Sequence, residues 1–408
     1  KKIGHVSLVS AVKGDLIEMM HSCNRGIIKE IYNRNKYYTA RLLFVGRIPQ
    51  FSAVSSLTDS TENVTVSKKV SPHVLVEKDI AEVNFKTIKI IGVGDIMLGT
   101  NYPSSSFLPP SDGKNILSPV AEIIQAGEVS FGNLEGVILT GAGFVKKCSN
   151  PKFCYAFKMP DHYVNHLTNA GFNLLSVANN HVLDFGKPGK VNTMKLLTQA
   201  GIPYAGLIEC PYTTFERKGI KYGFAAFSPN RGTMKINNYA EAKKIISHLD
   251  TTCDIVIVSF HGGAEGSKMT HITRKTERYL GENRGNPYQF ARIAIDAGAD
   301  VIFGHGPHVT RAIDLYKDRF IAYSLGNFAT YGRFNLSGPN GISPIIELEI
   351  DNEGKFIHGK IHSTKQLGKG GPVLDENHEA LKEIIKLTKI DIPECDLLID
   401  SHGVITKK

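Results

Sequence analysis

Five apolar runs in this chain end alike, each leaving a carboxylate, amide or imidazole side chain at the point where the run stops. The clearest is Val301-Ile-Phe-Gly-His-Gly-Pro-His-Val309, which closes in glycine and releases two histidines three positions apart. A buried strand stopping at Phe303 places His305 and His308 in a tight turn, with Gly304 and Gly306 permitting close backbone approach and Pro307 stiffening it. Residues 87–94 end the same way at Asp95, and residues 128–132 lead into Asn133 and Glu135. Residues 172–178 run into Asn180, His181 and Asp184, and residues 254–260 into His261 and Glu265. Each piece has an ordinary use: Gly-Asp as a turn or helix cap, Asn-Asn-His as a capping cluster, His-Gly-Gly as a flexible loop. Their shared place at strand ends is the signal, because carboxylate, amide oxygen and imidazole are what a hard or borderline divalent cation takes.

Helical patterns fall between these runs, near 116–126, 160–170, 191–200, 240–248 and 288–297, with further strands near 202–205 and 220–227. Strands alternating with helices predict an α/β fold whose sheets are covered on their faces and whose site is built from loops at strand ends. After residue 310 the pattern changes to hairpins, 311–316 with 319–324 around Lys317-Asp318, and 345–350 with 355–361 around Asp351-Asn-Glu-Gly354. These are expected to make a second sheet packed on the first, with a late helix at 377–387 outside it. The expected division is an N-terminal extension over 1–85 (a linker or an anchor), a main domain over 86–370, and a C-terminal helix and tail over 371–408.

Residues 1–85 carry roughly half of the net positive charge and show little periodicity. Residues 15–32 fit a helix, and 52–67 are Ser/Thr-rich and linker-like. Residues 36–54 have the basic start and short apolar core of an export signal, but Arg47 and Pro49 interrupt the core. The chain opens on Lys1, which leaves open an upstream leader. Cys148 and Cys154 flank a short loop, and a disulfide or two free thiols both fit. The net charge of +9 suits an acidic partner: a polyanion, a phosphorylated ligand or an anionic membrane surface. No run approaches the ~18–20 apolar residues of a membrane span.

Competing motifs fail. Gly92-Val-Gly94 opens like a dinucleotide fingerprint, but Met97 stands where the third glycine belongs. Residues 354–360 have phosphate-loop spacing, yet Ile361 replaces the required Ser/Thr and the stretch lies in a predicted hairpin. No G-x-S-x-G occurs, and the basic residues are not arranged as a nucleic-acid module, so no nucleic-acid partner is expected.

The ordered set Gly-Asp-Ile-Met-Leu, Asn-Leu-Glu-Gly, Ala-Asn-Asn-His-Val-Leu-Asp-Phe-Gly, His-Gly-Gly-Ala-Glu, Gly-His-Gly-Pro-His-Val and Tyr-Ser-Leu-Gly-Asn-Phe, across residues 87–350, resembles the bacterial capsule-synthesis CapA family. That family is associated with poly-gamma-glutamate and belongs to the calcineurin-like metallophosphatase superfamily. The resemblance implies a four-layer α/β/β/α sandwich of metallophosphatase type, with a divalent metal ion (Mn, Zn, Fe or Mg) at the strand ends. Carried across by position, Asp95, Asn180, His261, His305 and His308 are the implied metal ligands, with Glu135 the candidate to join them. His181 is the implied proton donor to a leaving group, with Asp184 as a second catalytic residue, and Asn133, Glu265 and Asn327 complete the pocket. The chain departs from the superfamily in three places. Met97 replaces the histidine of the first motif, no aspartate matches the bridging ligand (Glu135 is the candidate), and the last motif is stretched to His-x-x-His. Two functions follow from the resemblance: a metal-dependent hydrolase of the cell envelope acting on a phosphorylated or polymer-linked substrate, or a non-catalytic component handling an anionic polymer such as poly-gamma-glutamate. Membrane-bound capsule-synthesis partners are implied in either case.

Overall fold

The computed structural model describes residues 7–13, 16–23, 26–31, 87–147 and 155–408. The chain divides into two units, Lys1–Ile80 and Ala81–Lys408. In the first, strands Ser7–Lys13, Leu16–Cys23 and Gly26–Ile31 form an antiparallel three-stranded sheet. The helix expected over 15–32 is therefore absent, and two strands stand in its place. Adjoining strands are separated by two residues, Gly14-Asp15 and Asn24-Arg25. A glycine or asparagine in a two-residue connection is a hairpin signal that outweighs weak helical spacing. The remaining expectations for 32–85, and the Cys148 and Cys154 pair, lie outside the described residues.

In the second unit each core strand is a nearly unbroken apolar run, as parallel strands buried on both faces require. Strands Ile88–Met97, Val129–Leu134, Leu174–Ser176 and Tyr204–Ala205 pair in parallel, in that order. Ile220–Phe227, Ile255–His261, Val301–His305 and Arg319–Ala322 form a second parallel set. The two sheets meet face to face, with Phe131 stacked on Phe303 at 5.1 Å and 7° and tilted against Phe224 at 5.6 Å. Gly92 is required there, since a Cβ would stand 2.3 Å from Phe303 Cε1. Helices Tyr239–Thr252 and Pro287–Asp296 bury Ile246, Leu249, Phe290 and Ala294 in the core shared with the second sheet, while Val164–Ala170 and Gly186–Gln199 bury Leu167 and Leu197 in the apolar cluster of the first. The α/β/β/α layering is as expected.

The hairpins do not make a sheet of their own. Ile313–Tyr316 turns through Lys317-Asp318, both at positive φ, into Arg319–Ala322 at the edge of the second sheet. Ile342–Ile350 pairs antiparallel with Ile88–Met97 and carries Phe356–Gln366 beyond it in the first sheet. A parallel sheet with an open edge leaves a row of unpaired backbone groups, and the late hairpins extend both sheets instead of stacking on them. The final strands Leu397–Ile399 and Val404–Lys407 close the first sheet, and helix Glu379–Asp391 buries Leu381, Ile384 and Leu387 against the core. Tyr212–Arg217, an edge strand with no sequence expectation, alternates exposed and half-buried positions.

Candidate metal centre

Both parallel sets end at the same side of the molecule, and register aligns the polar residues there. Asp95 pairs with Asn133 on one neighbouring strand and with Asn327 on the other. On the facing sheet His261 pairs with His305. The strand Val301–His305 runs two residues past the expected stop at Phe303, so His305 is a strand residue and only His308 occupies the turn. Gly94 makes room for the backbone of the Tyr-Ser-Leu-Gly-Asn segment, because a Cβ would lie 2.0 Å from the Gly326 carbonyl oxygen.

The side chains converge. Asn133 Nδ2 donates to Asp95 Oδ1 at 2.8 Å and reaches Glu135 Oε2 at 3.4 Å and His261 Nδ1 at 3.5 Å. Asn179 donates to Asn133 Oδ1 at 3.1 Å, which fixes that amide's orientation, since the reverse would set donor against donor. His305 Nδ1 lies 3.3 Å from Asp95 Oδ1, and His308 Nδ1 donates to Asp95 Oδ2 at 2.9 Å. His308 holds φ at 59°, a conformation that strains a non-glycine residue by about 1–2 kcal/mol and turns its ring inward. Its Nε2 stands 3.6 Å from Glu135 Oε1 and 4.0 Å from Glu265 Oε2. Ligand atoms of Asp95, Glu135 and His261, all fully buried or nearly so, lie within 4.8 Å of one another.

His181 sits beside this group with its Nδ1 2.7 Å from Asp184 Oδ2, which points Nε2 at Asn180 Nδ2 (3.1 Å) and at Glu135 Oε1 (3.8 Å). Asp184 in turn accepts from the Phe157 backbone N–H at 2.7 Å and pairs with Lys146 Nζ at 2.6 Å. Glu265 is held at the rim by Arg284 at 2.9 Å. Asn327, the register partner of Asp95, meets the cluster indirectly: its amide donates to the Asn340 carbonyl, and Asn340 donates to the carbonyl of His308. Its structural contribution runs through the His308 turn. Met97 is fully buried in the apolar cluster with Ile96, Leu98 and Leu134.

Burial and mutual contact shift the acids and imidazoles of this cluster in opposite directions. Burial pushes the Asp95 carboxyl up, but the adjoining His305 and His308 imidazoles overcome it and hold Asp95 well below the usual range. Burial, and then the charge of Asp95, drives Glu135 well above its ordinary value. Burial opposes charge on His308, yet Glu135, Asp95 and Glu265 outweigh it and push the ring up to about 10. Burial lowers His261 well below its ordinary value, helped by Arg284, and lowers His181 against the pull of Asp184. Among the described residues, Glu135 Oε1, Asn180 Oδ1, His261 Nε2 and both His305 ring nitrogens are buried without a hydrogen-bond partner. Each such group costs about 1–3 kcal/mol, so several facing one space call for a shared partner that accepts lone pairs. Their donor chemistry, two imidazoles with carboxylate and amide oxygens, fits a divalent ion.

The sequence-predicted residues are thus joined into one contact network, Asn327 by way of Asn340 and the His308 turn. Sequence reasoning treated Asn179 as part of a cap and passed over Lys146 and Arg284. Asn179 was findable by its adjacency to Asn180. Lys146 and Arg284 had no signal, since a lone basic residue in a loop does not show which carboxylate it meets.

The family profile described as Bacterial capsule synthesis protein PGA_cap matches residues 89–331. Capsule biosynthesis protein CapA of Bacillus anthracis is 28% identical over 312 residues, 70% of this chain and 70% of its own length. PGA biosynthesis protein CapA of Bacillus subtilis is 28% identical over 262 residues, 58% of this chain and 61% of that protein. Among solved structures, Haemophilus influenzae NAD nucleotidase aligns at 11% identity with a TM-score of 0.37, covering 74% of this chain and 56% of that one. Purple acid phosphatase PPD1 from yellow lupin aligns at 11% identity with a TM-score of 0.35, covering 90% and 60%.

Proposed function

The chain belongs to the bacterial capsule synthesis protein family, PGA_cap, and from that premise we propose that it is a metal-dependent hydrolase of capsule or polyglutamate synthesis in the cell envelope. The observation that carries this reading is the set of partnerless buried ligand atoms of Glu135, Asn180, His261 and His305, beside an imidazole already oriented by a carboxylate. Asp95, Glu135, Asn180, His261, His305 and His308 would hold the ion, drawn from Mn, Zn, Fe or Mg. When bound, such an ion lowers the pKa of water and neutralises charge on a phosphoryl group.

The protein's own part is positional. Asp184 holds His181 Nδ1, so Nε2 is the atom that takes or delivers a proton facing the site. Asn133 clamps Asp95, and Arg284 keeps Glu265 at the rim. Phe157, 4.5 Å from the His181 ring, and Phe334, stacked on Phe157 at 4.9 Å, keep water from one side of that imidazole. A phosphorylated or polymer-linked envelope substrate fits the family's association, as do membrane-bound synthesis partners. No helix among the described residues is long and apolar enough to cross a membrane.

The test is metal analysis with phosphomonoester and phosphodiester assays on wild type and His181→Ala. Turnover should fall roughly 10²–10⁴-fold in the variant with metal content retained. Metal lost with turnover would make His181 a ligand. The second reading, a non-catalytic binder of an anionic polymer, is favoured by one observation: Met97 lies in the apolar core where the superfamily places a histidine. Metal-free protein that binds polyglutamate and hydrolyses nothing would establish that reading.

A further inference from the structure

We propose that Arg333 anchors a second anionic group of an extended substrate, one outside the cation site. The inference rests on the polymer reading of the function and names a residue that reads the polymer.

Arg333 lies on the segment between strand Asn327–Thr330 and the turn Gly338–Gly341. Its guanidinium carbon sits 5.5 Å from the centre of the Phe107 ring and 5.2 Å from that of Tyr155. Arg274, Arg284, Arg292, Arg311 and Arg319 each meet a carboxylate at 2.6–2.9 Å. Arg333 has aromatic neighbours and, among the described residues, no carboxylate. Cation–π contact orients a guanidinium while leaving the edge of its fork, which carries the N–H donors, open to an anion. An arginine set between two rings, with no carboxylate on its fork among the described residues, is suited to bidentate capture of carboxylate or phosphate.

Its location says which part of a ligand it meets. Tyr155 leads to Phe157 at 6.4 Å between ring centres, and Phe157 to His181 at 4.5 Å. The next residue, Phe334, stacks on Phe157 and faces His308 at 6.4 Å. One aromatic wall therefore runs from the reacting position to Arg333, with the cation-binding groups at one end and a guanidinium at the other. A ligand that meets both ends needs two separated anionic groups. A flexible chain with a carboxylate on every repeat lays its carbon segments on the rings and its charges at the two ends.

The experiment is calorimetric titration of the full chain with a γ-linked glutamate oligomer of defined length and, separately, with inorganic phosphate. Wild type, Arg333→Gln and Arg333→Lys are compared. Arg333→Gln should bind the oligomer about tenfold more weakly, equivalent to about 1.4 kcal/mol, while phosphate binds as in wild type. Arg333→Lys should recover only part, because an ammonium lacks the planar fork. Oligomer affinity in Arg333→Gln within about twofold of wild type overturns the anchor. An equal loss for phosphate also overturns it, by placing Arg333 at the reacting position. If Arg333→Gln fails to fold, Arg333→Lys decides the matter by the same two comparisons. A wild-type chain that takes phosphate but no oligomer overturns the polymer reading together with the anchor. Oligomer binding that depends on Arg333, without any hydrolysis, keeps the anchor and removes the hydrolase.

Discussion

Replacing Asp184 by asparagine isolates what the His181 carboxylate does, because the two side chains have nearly the same shape. The carboxylate is fully buried and meets three donors: His181 Nδ1 at 2.7 Å, the Phe157 N–H at 2.7 Å and Lys146 Nζ at 2.6 Å. An amide has one oxygen. Kept on His181 and Phe157, it turns two charge-assisted bonds into neutral ones, a loss of about 1 kcal/mol each. The amide NH₂ then faces the Lys146 ammonium. That side chain is 27% exposed and can reach water, so losing the ion pair costs about 1 kcal/mol more. The expected destabilisation is about 3 kcal/mol, read as a lower urea midpoint at unchanged slope. In the opposite amide orientation two buried N–H groups face an NH₂, which costs at least as much. Should the protein hydrolyse phosphoesters, turnover should drop with metal content retained, since a neutral amide on Nδ1 no longer stabilises the charged imidazolium. A change below about 1 kcal/mol would refute the account of Asp184 as a charged hub.

Three further outcomes are expected. Asp95→Asn should abolish the rise in melting temperature on adding the ion, a rise that reflects about 2.7 kcal/mol at a hundredfold excess over Kd in wild type; an undiminished rise in the variant would move the site elsewhere. Gly92→Ala should lower stability by about 1–3 kcal/mol, because the new methyl meets the Phe303 ring, and a urea midpoint equal to wild type would contradict that contact. Burial pushes the Asp300 carboxyl up from 3.8 to about 7, against Arg319 and the Val256 N–H. The folded state thus binds this proton more tightly than the unfolded one, and stability should fall as pH rises from about 4 to about 7, by at most ~1.4 kcal/mol per unit. Asp300→Asn should flatten the slope by that amount, and identical pH profiles of the two proteins would sink the assignment.

The sequence by itself determined the strands and what they deliver. Apolar runs such as Ile88–Met97 and Ile255–His261 are legible because a strand buried on both faces has no polar position to spare until it ends. Asp95, Asn133, Glu135, Asn180, His181, His261, His305 and His308 announced themselves by standing where those runs stop. Tertiary structure decided the rest, because pairing between distant segments is invisible in local pattern. The hairpins after residue 310 look like a separate sheet, yet an unpaired edge on each parallel set draws one hairpin apiece. The extra strand residues to His305 come from its pairing with His261, and the helical spacing of 15–32 yields to strand pairing. Asp184 became the holder of His181, and Arg333 a guanidinium between two rings, only when loops far apart in sequence were folded together. A side chain's type is written in the chain; the groups that face it, and with them its charge and its role, depend on which segments the packed sheets bring alongside.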